Sequence, residues 1–259
     1  MTQAARAELF RRLHHEPPPL VLANAWDVAS ARIVERAGAR AIATSSAAVC
    51  WALGYRDGQE IPRDEMLGWV GRIVRAVDLP LTADLEGGYG DPVSTAADAW
   101  AQGAVGLNVE DATSAGLADV DDQVAVFREM RAALPELVIN ARTDVILGSF
   151  GSLDEAVGRA NAYLGAGADC AFVPGVSDRD SIARLAREIV GPVNVLAGRG
   201  TPPVAELARL GIARVSAGSG IARAAYKRAE RVAREMLEDG TFGFAEDAFG
   251  HADLQELLG

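Results

Sequence analysis

Eight short apolar runs, separated by longer amphipathic stretches, constrain this chain more than any other feature of it. The runs are Leu20–Trp26, Ala41–Ser46, Leu81–Glu86, Gly106–Asp111, Val138–Thr143, Cys170–Gly175, Val193–Gly198 and Arg214–Ser219. Most stay apolar until their last two or three positions. Continuous apolar segments of this length fit strands buried on both faces, as in a parallel sheet. Helical patterns fill the gaps: Ala29–Ala37, Arg63–Val77, Thr95–Gln102, Asp122–Leu134, a stretch opened by Ser152-x-x-Glu155, then Asp178–Val190, Pro203–Leu210 and Ile221–Leu237. The Ser152 pattern is that of a capping box. Glycine stops at Gly38, Gly103, Gly165 and Gly211 lead into the next run, as glycine does just past a helix end.

Eight strand–helix units without a linker predict an α/β fold, a single-domain (β/α)8 TIM barrel over residues 1–259. A doubly wound open sheet is the alternative, and its G-x-G-x-x-G turn is missing after the first run. Residues 239–259 form a C-terminal extension carrying Phe242, Phe244, Phe249, Leu254, Leu257 and Leu258. Such anchors outside the barrel repeat predict packing on a partner subunit or across one barrel end.

The net charge of −11 argues against nucleic acid or an anionic membrane as partner. It leaves room for a small anionic substrate, which feels the local field of a site. The cysteines Cys50 and Cys170 are too few and too distant for a disulfide framework. No apolar run approaches the length of a membrane span. Met1 to Pro19 lacks the hydrophobic core of a signal peptide. A soluble, cytoplasmic protein is expected.

Polar residues gather at one end of the runs. The first ends Asn24-Ala25-Trp26-Asp27, the second Thr44-Ser45-Ser46, the third Asp84-Leu85-Glu86 and the fourth Asn108-Val109-Glu110-Asp111. The fifth ends Asn140-Ala141-Arg142-Thr143-Asp144, the seventh Gly198-Arg199-Gly200 and the eighth Ser216-Ala217-Gly218-Ser219. Barrel chemistry sits at the C-terminal strand ends, so these residues are expected to converge on one mouth. In a strand, Asp84 and Glu86 would point to the same face. They are either two solvated acids or, with Glu110, ligands of a hard divalent ion such as Mg²⁺, or Mn²⁺ in its place. Arg142 offers a planar fork to a substrate carboxylate or pairs with a barrel acid. Ser45, Ser46, Ala47 and Asn108 are substrate-binding candidates. Asp57, in Gly54-Tyr55-Arg56-Asp57-Gly58, either accepts from a metal-bound water or closes a turn. Arg142 and Tyr89 are the catalytic candidates. His14, His15 and His251 lie outside the strand ends, where surface or tail roles are expected.

At these residues the chain resembles the isocitrate lyase/phosphoenolpyruvate mutase superfamily, over about Leu20 to Ala225. The resemblance rests on Ser45-Ser46-Ala47, Gly54-Tyr55-Arg56-Asp57, Asp84-Leu85-Glu86-Gly87-Gly88-Tyr89-Gly90, Val109-Glu110-Asp111 and Ala141-Arg142-Thr143-Asp144. It implies a Mg²⁺-dependent barrel acting on 2-oxo acids or their enol forms. By the same resemblance Asp84 binds the ion, with Asp57, Glu86 and Glu110 reached through waters. Ser45, Ser46 and Ala47, with Arg142, would hold a substrate carboxylate. A terminal helix exchanged between subunits, and a homodimer or homotetramer, are also implied.

The departures narrow the chemistry. Lyases of the family that act on isocitrate or methylisocitrate carry a catalytic Cys, with Lys and His, in the loop after the fourth strand. That loop here is Ala112-Thr113-Ser114-Ala115-Gly116-Leu117-Ala118-Asp119. The Lys and Asn of the mutases are absent from it too, and after the sixth run stands Val173-Pro174-Gly175. The expectation is a Mg²⁺-dependent lyase of a small 2-oxo or 2-hydroxy acid working through a metal-stabilised enolate, but not isocitrate lyase itself. Decarboxylation or retro-Claisen cleavage asks least of a loop acid; Tyr89, Thr113, Ser114 or water would supply the proton. The rivals are a phosphonopyruvate-type mutase or hydrolase, with Arg199 as its basic residue, and a non-catalytic oxo-acid binding protein.

Overall fold

A computed structural model describes residues 1–259. Its strands are β1 (Leu20–Leu22), β2 (Asn24–Ala25), β3 (Ile42–Thr44), β4 (Leu81–Asp84), β5 (Gly106–Glu110), β6 (Ala112–Thr113), β7 (Gly116–Leu117), β8 (Val138–Arg142), β9 (Cys170–Phe172), β10 (Val193–Leu196) and β11 (Arg214–Ser216). The helices are α1 (Gln3–Arg12), α2 (Val28–Arg36), α3 (Ser46–Leu53), α4 (Arg63–Ala76), α5 (Pro92–Ala101), α6 (Val120–Ala133), α7 (Leu153–Gly165), α8 (Arg179–Glu188), α9 (Val204–Leu210), α10 (Gly220–Arg234) and α11 (His251–Leu258).

Nine strands pair in the order β1-β11-β10-β9-β8-β5-β4-β3-β2, every pairing parallel. The two ends of that order are halves of one expected strand, broken at Ala23. The lower half pairs with β11 and the upper with β3. One bent strand therefore serves both sides of the seam, and the sheet closes as an eight-unit barrel. Asn24 stitches the seam. Its Nδ2 donates to the Thr44 carbonyl at 2.7 Å, and its Oδ1 accepts from the Ala217 and Gly218 amides at 2.9 Å each.

The helices cover the barrel with apolar faces. Met66, Val70, Ile73 and Val74 of α4 and Phe127 and Met130 of α6 share one core with Ile42, Leu81, Leu107 and Ile139 of the sheet. Ile182 and Leu185 of α8 and Leu207 of α9 pack on Val193, Val195 and Val215. The first nineteen residues hold an element not expected from the sequence. Helix α1, capped by Thr2, puts Ala7 and Phe10 against Leu20, Leu22, Ala43 and Val138 and plugs the N-terminal end of the barrel. A Cβ at Gly106 would lie 2.7 Å from the Phe10 ring, so the plug requires glycine there. His14, expected on the surface, is instead buried beside this plug, its Nδ1 2.8 Å from the Phe10 carbonyl oxygen.

The C-terminal part is built differently. Across α10 only Ala222 is buried. Val21, on the outer face of β1, is 46 % exposed where a barrel helix would ordinarily lie. In this single chain the extension returns to α2, where the Arg36 guanidinium lies 5.0 Å over the Phe249 ring. Phe242 and Leu237 stay largely exposed. No helix is long and apolar enough to cross a membrane.

Asn24→Ala removes all the side-chain bonds at the seam. It is expected to cost ~2–3 kcal/mol, measured by urea unfolding; a loss under ~0.5 kcal/mol would contradict the role given to Asn24.

Candidate active site

The ends of β2, β3, β4, β5, β8, β9, β10 and β11 line one cavity of about 260 Å³ at the C-terminal mouth. Ser45, Ser46, Ala47, Asp57, Asp84, Asn108 and Arg142 all face it, as expected. Leu147, Phe172, Pro174 and Leu196 give it an apolar wall. Glu86, Glu110 and Tyr89 do not line this cavity. They line a wider, more open cleft of about 850 Å³ beside it, under the β6–β7 hairpin. The two catalytic candidates, Arg142 and Tyr89, are thus on different sides of the acid cluster.

The divergence begins at the end of β4. The strand stops at Asp84, and Glu86 has φ +53. The same-face rule for strands therefore does not carry Glu86 to the side of Asp84. The following turn stays left-handed at Gly88, Tyr89 and Gly90. A Cβ at Gly88 would meet Pro92 at 2.5 Å, so this turn needs its glycine. Asp84 is held from below: its Oδ2 accepts from the Ser46 amide at 3.1 Å and the Ser46 hydroxyl at 3.0 Å, and its Oδ1 from Asn108 Nδ2 at 3.4 Å. Glu86 accepts from the Gly58 amide at 3.0 Å and from the Tyr89 hydroxyl at 3.3 Å.

Arg142 is the one guanidinium amid these acids, and it is already claimed. Its Nε and Nη2 donate to the two Asp144 oxygens at 2.7 and 2.9 Å, and Nη1 lies 2.8 Å from Glu110 Oε2. Five donors leave two N–H groups for a ligand after these three contacts. Asp144 is itself placed by Asp111, whose Oδ1 accepts the Asp144 amide at 2.9 Å while its Oδ2 accepts the Tyr163 hydroxyl at 2.8 Å. Both expected roles of Arg142, ion pair and substrate fork, are compatible with this geometry.

Negative charge exceeds positive charge here, and the acids register it. Burial, then the charges of Asp57 and Asp84, push the Glu86 carboxyl up to about 7. Burial raises Glu110 to about 8, although Arg142 opposes the rise. Asp57 is raised by burial and by Asp84. The Asp57 and Glu86 oxygens lie within 4.8 Å of each other, and the Asp84 charge raises both carboxyls from nearby; oxygen donors of this kind suit Mg²⁺ or Mn²⁺. Cys50 has its sulfur within 4.8 Å of Asp57 and Glu86 oxygens. Burial and the neighbouring acids push its thiol up to about 12, so it stays neutral and is a poor partner for a hard ion.

Sequence reasoning missed Arg223, which reaches the cavity from the first turn of α10 with no ion pair of its own. Arg199, the basic residue expected after the seventh run, is exposed and does not face the cavity.

The family model for phosphoenolpyruvate phosphomutase matches residues 10–237. The chain belongs to that family, within the isocitrate lyase/phosphoenolpyruvate mutase superfamily. An uncharacterised Mycobacterium tuberculosis member is 37% identical over 212 residues, 81% of each chain. An oxaloacetate decarboxylase of Bradyrhizobium sp. is 32% identical over 212 residues, 76% of this chain and 73% of that one. The solved structure of a Burkholderia cenocepacia protein, 38% identical, superposes with a TM-score of 0.93 over 98% of this chain and 95% of its own.

The raised acids make a pH prediction. Between the ordinary Glu value of 4.5 and about 8, folded Glu110 keeps a proton that the unfolded chain has lost. Stability without metal therefore falls as pH rises through that window. Thermal melts in chelator should show Tm dropping from about pH 5 to about pH 8, with a smaller drop in Glu110→Gln. An equal drop in the variant would remove Glu110 as the cause.

Proposed function

We propose that the protein is a Mg²⁺-dependent lyase of a small 2-oxo or 2-hydroxy acid, breaking a carbon–carbon bond by decarboxylation or retro-Claisen cleavage. The observation that carries this reading is the excess of carboxylates at the mouth of a cavity sized for a small acid. Asp84, with Asp57, Glu86 and Glu110 around it, would hold the ion. When bound, Mg²⁺ supplies the charge that lowers the cost of negative charge developing on the substrate oxygen.

The remaining work falls to side chains. Arg142 turns its two free N–H groups to the substrate carboxylate, with the Ser45-Ser46-Ala47 turn on the same wall. The two bonds to Asp144 and the close contact with Glu110 fix the guanidinium plane before substrate arrives. The β6–β7 hairpin holds no Cys, Lys or His, which favours a cleavage that needs no strong loop acid. Tyr89, hydrogen-bonded to Glu86, faces the neighbouring cleft, so it would pass a proton to the substrate only through water. Arg223 gives the cavity a second, unclaimed cation. That suits a substrate with an anionic group at each end, a diacid in the first instance and a phosphonate in the second reading.

Pyruvate release should be followed from a panel of 2-oxo and 2-hydroxy acids with Mg²⁺ and with chelator. Turnover lost in chelator is expected, and Arg223→Ala should weaken a 2-oxo diacid about tenfold more than pyruvate itself. Mg²⁺-dependent binding of oxalate without any turnover would replace the lyase reading with a binding protein.

The bare outer face of β1 and the unburied α10 support a homo-oligomer in which α10 and the extension cover a second copy. Val21→Asp would place a charge in that contact. Sedimentation should show a dimer or larger species for the native chain and a shift toward monomer for the variant; a native monomer at micromolar concentration contradicts the exchange.

A further inference from the structure

The barrel interior beneath the site contains a charge to which the proposed chemistry gives no role. Arg214, on β11, is fully buried, and no carboxylate touches it. Its Nη2 donates to Asn108 Oδ1 at 3.3 Å, its Nη1 lies 3.5 Å from His14 Nε2, and its Nε has no partner. The Phe10 ring of the α1 plug lies 5.9 Å from the guanidinium. A buried cation without a counter-charge is costly. His14 does not add to the charge, since burial and then Arg214 hold it neutral, down to about 3. The Cys170 thiol is likewise neutral, pushed by burial up to about 12.

Asn108 connects this charge to the site. Its Oδ1 accepts twice, from Arg214 and from Asn140 Nδ2 at 2.7 Å. With the oxygen so occupied, the amide nitrogen is turned the other way and reaches Asp84 Oδ1 at 3.4 Å. The orientation of the Asn108 amide is therefore dictated by its donors, and one amide separates the guanidinium from the carboxylate. Burial pulls the Arg214 guanidinium down to about 10, and Asp84 is the one carboxylate that opposes the pull.

We propose that Arg214 is the internal counter-ion of Asp84, joined to it through the Asn108 amide, and that it tempers the hold of the site on a divalent ion. Arg214 is a positioning residue; it touches neither ion nor substrate. The inference rests on the reading of Asp84 as the metal ligand. A guanidinium below and a divalent cation above draw on the same carboxylate, so removing the lower charge strengthens binding of the upper one.

Calorimetric titration of the metal-stripped full chain with Mg²⁺ tests this. Arg214→Met is expected to bind Mg²⁺ roughly tenfold more tightly than the native chain, and Arg214→Lys to stay near the native affinity. A residue that only packs the barrel floor would leave the affinity unchanged. Unfolding in urea with chelator supplies a second measurement: Arg214→Met and Asp84→Asn combined should lose less stability than the sum of the single changes. Where Arg214→Met alone does not fold, the double variant is expected to fold. Unchanged or weaker Mg²⁺ binding in Arg214→Met, additive losses, or a double variant that also fails to fold would overturn the proposal. If the native chain binds no Mg²⁺, the lyase reading falls, and the metal-free cycle still decides whether Arg214 and Asp84 are paired.

Discussion

A parallel sheet hides both its edges only when its first strand can serve two neighbours. Here a break at Ala23 lets β1 pair with β11 and β2 with β3. Everything functional depends on that closure. It turns Asn108, Asn140, Asn194 and Arg214 inward, where they bond one another, Asp84 and Ser216 and meet the α1 plug. It also brings eight strand ends to one mouth, so residues far apart in sequence share a single electrostatic environment.

That environment is set by crowding. Acids from β4, β5 and the loop after α3 meet around Arg142, whose own charge is spent on Glu110 and Asp144. Burial and mutual repulsion push Glu86 and Glu110 into the neutral range. A site so arranged holds these acids partly protonated, and a cation placed among them would offset their repulsion. The strain extends to the backbone, where Glu86 and Tyr89 occupy the left-handed region that non-glycine residues seldom adopt.

Much of this was legible in the chain. The eight runs, the glycine stops and the polar strand ends specify a barrel with its chemistry at one face. Ser45, Ser46, Ala47, Asp57, Asp84, Asn108 and Arg142 do converge there. The helix α1 was not legible, because its buried positions Ala7 and Phe10 are too few to mark a face among charged neighbours. The place of Glu86 was misjudged, since the strand rule stops applying where the strand does, at Asp84. Arg223 and Cys50 carried no local signal at all. Their importance comes from what lies across the mouth from them.

Sequence alone determined the architecture and the chemical character of the mouth, because hydrophobic period and strand-end polarity are local properties of the chain. Tertiary structure alone decided the pairings. Arg214 and His14 meet across 200 positions, and Asn24 bonds to amides 193 and 194 positions away. Which acid faces which base is fixed by the closure of the sheet and by a left-handed turn after Asp84. Coulomb energy depends on distance in space, and no pattern along the chain records that distance.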